Sequence, residues 1–340
     1  MKMKTKTLKV AAAMGLTALL VGSAAAQESA SKPVGYETLT IEDGFNYLGL
    51  RLHEAPVASG TITAIDADSI EDSAADFSAL TGTYILEIDN GSGIIQEVVT
   101  FNSATEIPTD DLSGEVAVDD SYTLRPAATL ESVFGADGGD LDAGNAGTGG
   151  ADQVWIPDGT GGFDKYYYDN TNLTTFVAAW TNADGSNTVV DPAAVSLVYT
   201  DGLVIVGAGG ANTFVVTGSV KLTETNFALS NGFNYVSSVS PAGATLASMF
   251  GTDNESLLDA GNAGTGGADQ VWVPVAGGFD KYYYDNTNLT TFVADWTNAD
   301  GGAAVDPATV SLDDASGLII VNPGAAQSNS AGVPSFYGAL

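Results

Sequence analysis

Short runs of alternating apolar and polar residues recur along most of the chain. Segments such as KYYYD, TTFVAAW, VSLVY and NTFVVTG are separated by turn sequences such as NADG, TDG and NGSG. This period-two alternation is typical of β-strands with one buried face, and Asn-Gly or Asp-Gly pairs favour tight hairpin turns. After the N-terminal region the best helical candidate is Ala67–Leu80, and ATLESVF predicts one short helical turn. The pattern therefore predicts an all-β protein.

The chain also contains a tandem duplication. DAGNAGTGGADQVW occurs at Asp142–Trp155 and Asp259–Trp272, and FDKYYYDNTNLTTFVA occurs at Phe163–Ala178 and Phe279–Ala294. GFNY also occurs twice. The first copy of GFNY is separated from the following TLESVFG by many more residues than the second copy is from the following TLASMFG. The first repeat therefore carries an insertion, which has a strand-like pattern of its own.

We accordingly predict tandem β-sandwich-like repeats with a small β-barrel or β-sandwich module inserted in the first repeat. The predicted boundaries are a signal peptide at 1–26, a first unit at 27–56 and 125–213, an inserted module at 57–124, a second unit at 214–322 and a C-terminal tail at 323–340. The tail is either flexible or a docking strand.

The N-terminus and the charge indicate export. Four lysines precede the apolar run Val10–Val21, and small residues follow at Ala24–Ala26, as in a secretory signal peptide. The apolar run is short of the roughly 20 residues of a membrane span. When those four lysines are left out, the chain has six Lys and Arg residues and 42 Asp and Glu residues, which gives a net charge of about −36. Such a surface repels nucleic acid and anionic membranes, and the absence of cysteine excludes disulfides.

The tyrosine block leaves two interpretations open. In KYYYD, Tyr166 and Tyr168 share one face of the strand, whereas Lys165 and Tyr167 share the other. The tyrosines are either half-buried strand residues or part of an aromatic platform for sugar rings or a partner chain. The platform would consist of Trp155, Tyr167 and Trp180 in the first unit and Trp272, Tyr283 and Trp296 in the second.

The glycine-rich loops are candidate Ca²⁺ sites, since Ca²⁺ binds carboxylate and carbonyl oxygens. The candidate ligands are Asp142, Asn145 and Asp152 in the first unit and Asp259, Asn262 and Asp269 in the second. Their spacing does not match an EF-hand, and a solvated glycine-rich loop is the alternative. No other cofactor is expected. The NLT tripeptides at Asn172–Thr174 and Asn288–Thr290 match the N-glycosylation pattern.

Catalytic motifs are scarce. His53 is the one histidine, and its neighbours suggest a surface or edge position rather than a general base. The chain has no G-x-S-x-G, H-E-x-x-H or P-loop sequence. We therefore predict a non-enzymatic protein.

The strings GFNYLGLRLHEAP, SYTLRPAATLESVFG and ADQVWVP resemble an uncharacterised verrucomicrobial family of exported β-repeat proteins. The resemblance covers most of residues 36–322. It implies an exported β protein and assigns no site.

These observations predict an exported structural protein of the cell surface or extracellular space, such as a filament or layer subunit. Head-to-tail assembly would follow if the second unit left an open edge, which Pro33–Asp43 of the next subunit could fill by strand donation. The competing interpretation is that Pro33–Asp43 folds back within its own chain and that the C-terminal tail caps the edge of the second unit. The alternative is a carbohydrate-binding or adhesin-like module with a surface polysaccharide as its partner. An outer-membrane porin is a weaker option, because these strands are shorter than the roughly 9–11 residues that a porin needs.

Overall fold

The computed structural model of the protein describes residues 34–339, apart from positions 92, 102, 174, 255–257, 263, 290, 291 and 315. In this part of the chain β-strands dominate, every pair of named strands is antiparallel, and the two α-helices are short. The prediction of an all-β fold is therefore confirmed. None of the described helices is long and apolar enough to cross a membrane. The predicted signal peptide at 1–26 lies outside the described residues.

The first repeat is a five-stranded sheet whose inner face packs against a strand pair and a short helix. Its elements are β1 (Val34–Ile41), β2 (Gly44–Gly49), β10 (Ala128–Thr129), α1 (Leu130–Phe134), β11 (Gln153–Pro157), β12 (Phe163–Asp169), β13 (Ala179–Asn182), β14 (Ser196–Leu197), β15 (Gly202–Gly207) and β16 (Asn212–Ser219). The sheet order is β13-β12-β11-β15-β2, and β1 pairs with β16 over its full length. Two further strands, β10 and β14, form a small separate ladder.

The second repeat has the same organisation. Its elements are β17 (Thr225–Leu229), β18 (Gly232–Ser237), α2 (Leu246–Phe250), β19 (Gln270–Val275), β20 (Gly278–Asp285), β21 (Asp295–Asn298), a 3-10 turn (Pro307–Thr309), β22 (Gly317–Asn322), β23 (Gln327–Ala331) and a C-terminal 3-10 helix (Ser335–Ala339). The sheet order is β18-β22-β19-β20-β21, and β17 pairs with β23. Both α-helices begin with a capping box, in which Thr129 and Ser132, or Thr245 and Ser248, exchange hydrogen bonds.

These pairings correct the predicted ends of the repeats. β16 completes the first repeat rather than opening the second, and β23 lies in the predicted C-terminal tail. The strand β1, which we expected to be donated to a neighbouring subunit, is paired within its own chain, and the covering layer of the second repeat is completed by β23. The expectation of an open edge was wrong because the continuation of the second repeat is its C-terminal segment.

The insertion forms two small sheets with a hydrophobic cluster of their own. Its strands are β3 (Ala58–Thr61), β4 (Ala64–Ile65), β5 (Ser69–Glu71), β6 (Thr83–Asp89), β7 (Ile94–Thr100), β8 (Glu106–Pro108) and β9 (Ser121–Pro126). The helix expected over Ala67–Leu80 is absent from this described segment. Ile70 is instead a buried strand residue of β5, and Asp72 and Asp76 each accept a hydrogen bond from the backbone two residues on, which favours turns.

The two five-stranded sheets meet in a reciprocal contact. A Cβ atom added to Gly202 would lie 2.8 Å from the backbone nitrogen of Val236, and one added to Gly317 would lie 2.6 Å from that of Leu48. Gly202 corresponds to Gly317, and Leu48 corresponds to Val236, so each repeat presents the same surface to the other. This is the pattern of an isologous dimer, here within one chain. One hydrophobic cluster spans both repeats.

A buried polar cluster joins the insertion to the first repeat. The Glu87 carboxylate accepts a hydrogen bond from the Tyr199 hydroxyl at 2.6 Å, and Arg125 and Lys221 each lie 3.8 Å from it. His53 packs edge-on against Tyr199 with ring centroids 4.2 Å apart. Burial, and then the charge of Arg125, lowers the pKa of His53 to about 3. His53 is therefore a neutral residue of the interior and not the surface or edge residue that we expected.

Candidate functional site: an aromatic strip across the two repeats

Eight aromatic side chains form a continuous row on the outer faces of the two five-stranded sheets. We call this row the aromatic strip. In order of contact its rings are Phe45, Trp155, Phe163, Tyr235, Tyr47, Phe279, Trp272 and Phe233. Successive ring centroids are 4.8–6.4 Å apart. The strip is symmetric about the stacked pair Tyr47 and Tyr235, which belong to different repeats.

Strand register explains why these rings share one face. Tyr47 lies opposite Val204, Val204 opposite Trp155, and Trp155 opposite Lys165, so all four side chains point to the same side of the first sheet. The other side of the same strands carries the core residues, including Val154. The strip is therefore the solvent side of a half-buried sheet. Phe45 at one end is 61% exposed, and the central rings are half-buried.

Two lysines lie within the strip. Lys165 Nζ is 3.9 Å from the ring centroid of Trp155, and Lys281 Nζ is 4.4 Å from that of Trp272. Both contacts have cation–π geometry. The remaining cationic side chains of the described residues, Arg51, Arg125 and Lys221, are buried. Within the part of the chain that the structure describes, the surface cations therefore sit in the aromatic strip.

Two of the predicted platform tryptophans do not belong to this surface. Trp180 and Trp296 are each 1% exposed, and each indole N–H donates to a backbone carbonyl, that of Gly135 or Gly251. They point to the inner face of their sheets and pack against Phe134 or its counterpart in the core. Neither ring can stack on a ligand, so that prediction was wrong for this pair.

Tyr167 and Tyr283 lie on the outer face but are buried beneath the glycine-rich loops. The Gly144 N–H donates to the Tyr168 carbonyl, and the Gly144 carbonyl accepts from the Asn170 N–H. These two hydrogen bonds hold the loop over the Tyr167 ring. The Tyr167 hydroxyl also contacts the Asp169 carboxylate at 3.4 Å. These tyrosines support the loops and are not accessible, so of the predicted platform residues only Trp155 and Trp272 remain in the strip.

The carboxylates of the glycine-rich loops bind the backbone of the fold itself. Asp152 accepts hydrogen bonds from the N–H groups of Asp142 at 2.9 Å and Ala208 at 2.8 Å, and Asp269 accepts one from Asp259 at 2.8 Å. Of the four remaining candidate ligands, Asn145, Asp259 and Asn262 are exposed and Asp142 is half-buried. Among the described residues no group of three or more His, Cys, Asp or Glu side chains is arranged to hold a metal ion. The buried aspartates therefore act as loop clamps in this structure, and the binding of Ca²⁺ by these loops stays a prediction.

The connection between β12 and β13, and its counterpart between β20 and β21, each form an exposed hydrophobic tip. The tips consist of Leu173, Phe176 and Val177 in the first repeat and Leu289, Phe292 and Val293 in the second. Phe176 is 80% exposed and has a φ of 56°, a region that bulky residues rarely adopt. Its N–H donates to the Asn172 carbonyl at 2.7 Å, and Phe292 repeats the same arrangement on Asn288. Both asparagine side chains are buried, which contradicts their use as glycosylation acceptors.

A pocket of about 410 Å³ adjoins the strip on one side. Phe233 and Tyr235 belong both to the strip and to the pocket lining. The β11–β12 hairpin turn, the strands β6 and β7 of the insertion, and β17 of the second repeat also line the pocket, together with Asp201. Burial raises the pKa of Asp201 to about 6.

Compared with family models, curated proteins and solved structures, the chain matches none of them. The resemblance to a verrucomicrobial family therefore stays a prediction. Sequence reasoning missed most rings of the strip, including Phe45, Tyr47 and Phe163. The signal was present, because GFNY and FDK place aromatic residues and lysine at alternate positions on one strand face.

Proposed function

We propose that the protein is an exported, non-enzymatic binding module whose aromatic strip binds a glycan chain. The observation that carries the proposal is the continuous row of eight rings, which crosses both repeats on a solvent-facing surface. Contiguous exposed apolar surface is typical of a binding site. Aromatic rings suit the apolar faces of sugar units, while polar neighbours bind the hydroxyl groups.

The charges around the strip support a neutral glycan in preference to other ligands. The protein carries a large net negative charge, which disfavours polyanions such as nucleic acids. Lys165 and Lys281 are placed beside the two tryptophans, where each can donate hydrogen bonds to a hydroxyl group of a stacked sugar. An extended chain that follows the strip would contact both repeats, so its affinity would benefit from linked weak contacts.

Retention on insoluble polysaccharides tests this function. The variants Trp155→Ala and Trp272→Ala should each weaken binding roughly tenfold, because a stacking contact of about 1–1.5 kcal/mol is lost. The double variant should not be retained. Val215→Ala, at an exposed strand position outside both the strip and the hydrophobic tips, is the control and should bind as the unaltered protein does. Retention that is unaffected in the double variant would overturn the proposal.

A second function, self-assembly, is favoured by the hydrophobic tips. The tips connect the outermost strand pairs of the two sheets, β12–β13 and β20–β21, so they lie on opposite sides of the pseudo-twofold axis. A molecule with two equivalent adhesive ends forms linear chains when tips pair with tips. This arrangement would give a filament or layer subunit without strand donation, since β1 and β23 are already paired within the chain.

Light scattering of single-tip and double-tip variants tests assembly. Phe176→Ser should convert chains into dimers, because one adhesive end remains, and Phe176→Ser with Phe292→Ser should give monomers. Val215→Ser, an exposed strand position away from both tips, should leave assembly intact. An unaltered protein that stays monomeric at millimolar concentration would rule out this second function.

A further inference from the structure

The inserted module breaks the symmetry of the strip. Ile85, Gln96 and Val98, on strands β6 and β7, line the pocket beside Phe233 and Tyr235. The second repeat has no insertion between GFNY and TLASMFG, so these lining residues have no counterpart on the other half of the strip. The pocket therefore belongs to one side of an otherwise symmetric surface.

This asymmetry matters for a chain-like ligand. A glycan has two different ends, whereas a strip related to itself by a pseudo-twofold axis presents the same rings in both directions. The strip alone would therefore accept a glycan in either orientation. A pocket on one side can distinguish the two orientations, because only one of them places a given sugar unit against it.

The chemistry of the lining indicates which sugar units fit. Asp201 supplies a carboxylate acceptor, and none of the described lining residues is Lys, Arg or His. Burial raises the pKa of the Asp201 carboxyl group to about 6, so a further negative charge beside it would be unfavourable. Hydroxyl groups are donors that match carboxylate acceptors, and Phe233 and Tyr235 supply apolar surface. The volume, about 410 Å³, lies in the range of small-molecule sites.

We propose that this pocket is a second subsite that takes one uncharged, hydroxyl-rich sugar unit of the glycan on the aromatic strip and thereby sets the direction of the chain. The proposal rests on the proposed glycan-binding function. It also assigns a role to the insertion, which provides one part of the pocket while leaving the rings of the strip unchanged.

Free monosaccharides test the pocket separately from the strip. Glucose, galactose, N-acetylglucosamine and glucuronate are added to ¹⁵N-labelled protein, and amide shifts are followed by NMR. At least one neutral sugar should shift pocket amides such as Asp201 and Val98, and glucuronate should not. Val98→Trp should abolish these shifts, because Val98 is 55% exposed and a larger side chain there fills the pocket. Val215→Trp, at an exposed position elsewhere, is the control and should retain them.

Polymers then connect the two sites. On any polysaccharide that the unaltered protein retains, Val98→Trp and Asp201→Asn should lower affinity about tenfold, and Trp155→Ala with Trp272→Ala should abolish retention. Loss of retention only in the tryptophan variant, with no monosaccharide shifts at the pocket, would overturn the subsite and leave the glycan-binding function in place. Pocket shifts without any retained polymer would instead overturn the function of the strip. Shifts that persist in Val98→Trp would show that the sugars bind elsewhere.

Discussion

A single hydrogen bond that one repeat has and the other lacks leads to a specific prediction. Asp269 is 1% exposed, and its Oδ2 accepts a bond from the Asp259 N–H, but its Oδ1 has no hydrogen-bond partner among the described residues. In the first repeat the equivalent Asp152 Oδ1 accepts a bond from the Ala208 N–H at 2.8 Å. Pro323 occupies the position of Ala208 in the second repeat, and proline has no N–H. Pro323→Ala should therefore stabilise the protein.

The expected gain is about 1–2 kcal/mol at neutral pH. A hydrogen bond to a charged group contributes about 1.5–3 kcal/mol, and loss of the stiff proline from the unfolded chain costs about 0.4–1 kcal/mol. The gain should depend on pH. Burial raises the pKa of Asp269 in the folded state. The protonated carboxyl group therefore stabilises the folded protein below the ordinary pKa of aspartate, and this stabilisation is lost as pH rises through the raised pKa. The new donor favours the carboxylate, so the gain should be larger at pH 7 than at pH 4.

Urea unfolding at both pH values measures this effect. The matched experiment is a double-mutant cycle with Asp269→Asn, in which Pro323→Ala should lose most of its benefit. The reverse change, Ala208→Pro, should destabilise the first repeat by at least as much, since it removes the donor from Asp152. A destabilising Pro323→Ala at pH 7, or an equal gain in the Asp269→Asn background, would refute the reasoning.

Three further predictions concern the repeat interface and the buried cluster. Gly317→Ala should destabilise by about 1–3 kcal/mol in urea, because its Cβ would lie 2.6 Å from a backbone nitrogen of β2, whereas Gly278→Ala has open space and should be near neutral. Because His53 is buried and neutral, the free energy of unfolding should fall as pH drops below 6.5, and His53→Phe should reduce that slope by close to one proton. Glu87→Ala should cost about 3–5 kcal/mol by leaving Lys221 and a second buried cation without their carboxylate; a loss below 1 kcal/mol would show that the cluster contributes little.

Strand faces were predictable from the sequence, and the environment of each face was not. The alternation in KYYYD places Tyr166 and Tyr168 against the core and Tyr167 on the other side, as the period of two requires. The sequence did not show that a loop more than ten residues upstream covers Tyr167. It also did not distinguish Trp155 on the surface from Trp180 in the core, because both occur in similar short apolar strands.

The strip itself depends on contacts between distant parts of the chain. Tyr47 packs edge-on against Phe279 of the other repeat, 5.0 Å away, and Phe163 packs against Tyr235 at 4.8 Å. Neither pair can be inferred from spacing, because the contact requires the reciprocal docking of two sheets. The sequence could indicate that docking only through glycines at equivalent positions, such as Gly202 and Gly317, and glycine is common throughout this chain.

Duplication and insertion have different consequences for the same surface. Each copy of FDKYYYDNTNLTTFVA supplies one ring and one lysine to the strip and one hydrophobic tip at the far edge of its sheet. One repeat alone would supply only half of the rings and would leave the glycine-lined docking face exposed. When the two repeats dock, each covers the docking face of the other, and the four rings of each repeat meet at Tyr47 and Tyr235 to form one continuous strip. The insertion then adds a pocket beside one half of the aromatic strip. Because the second repeat has no insertion, the two ends of the strip are no longer equivalent.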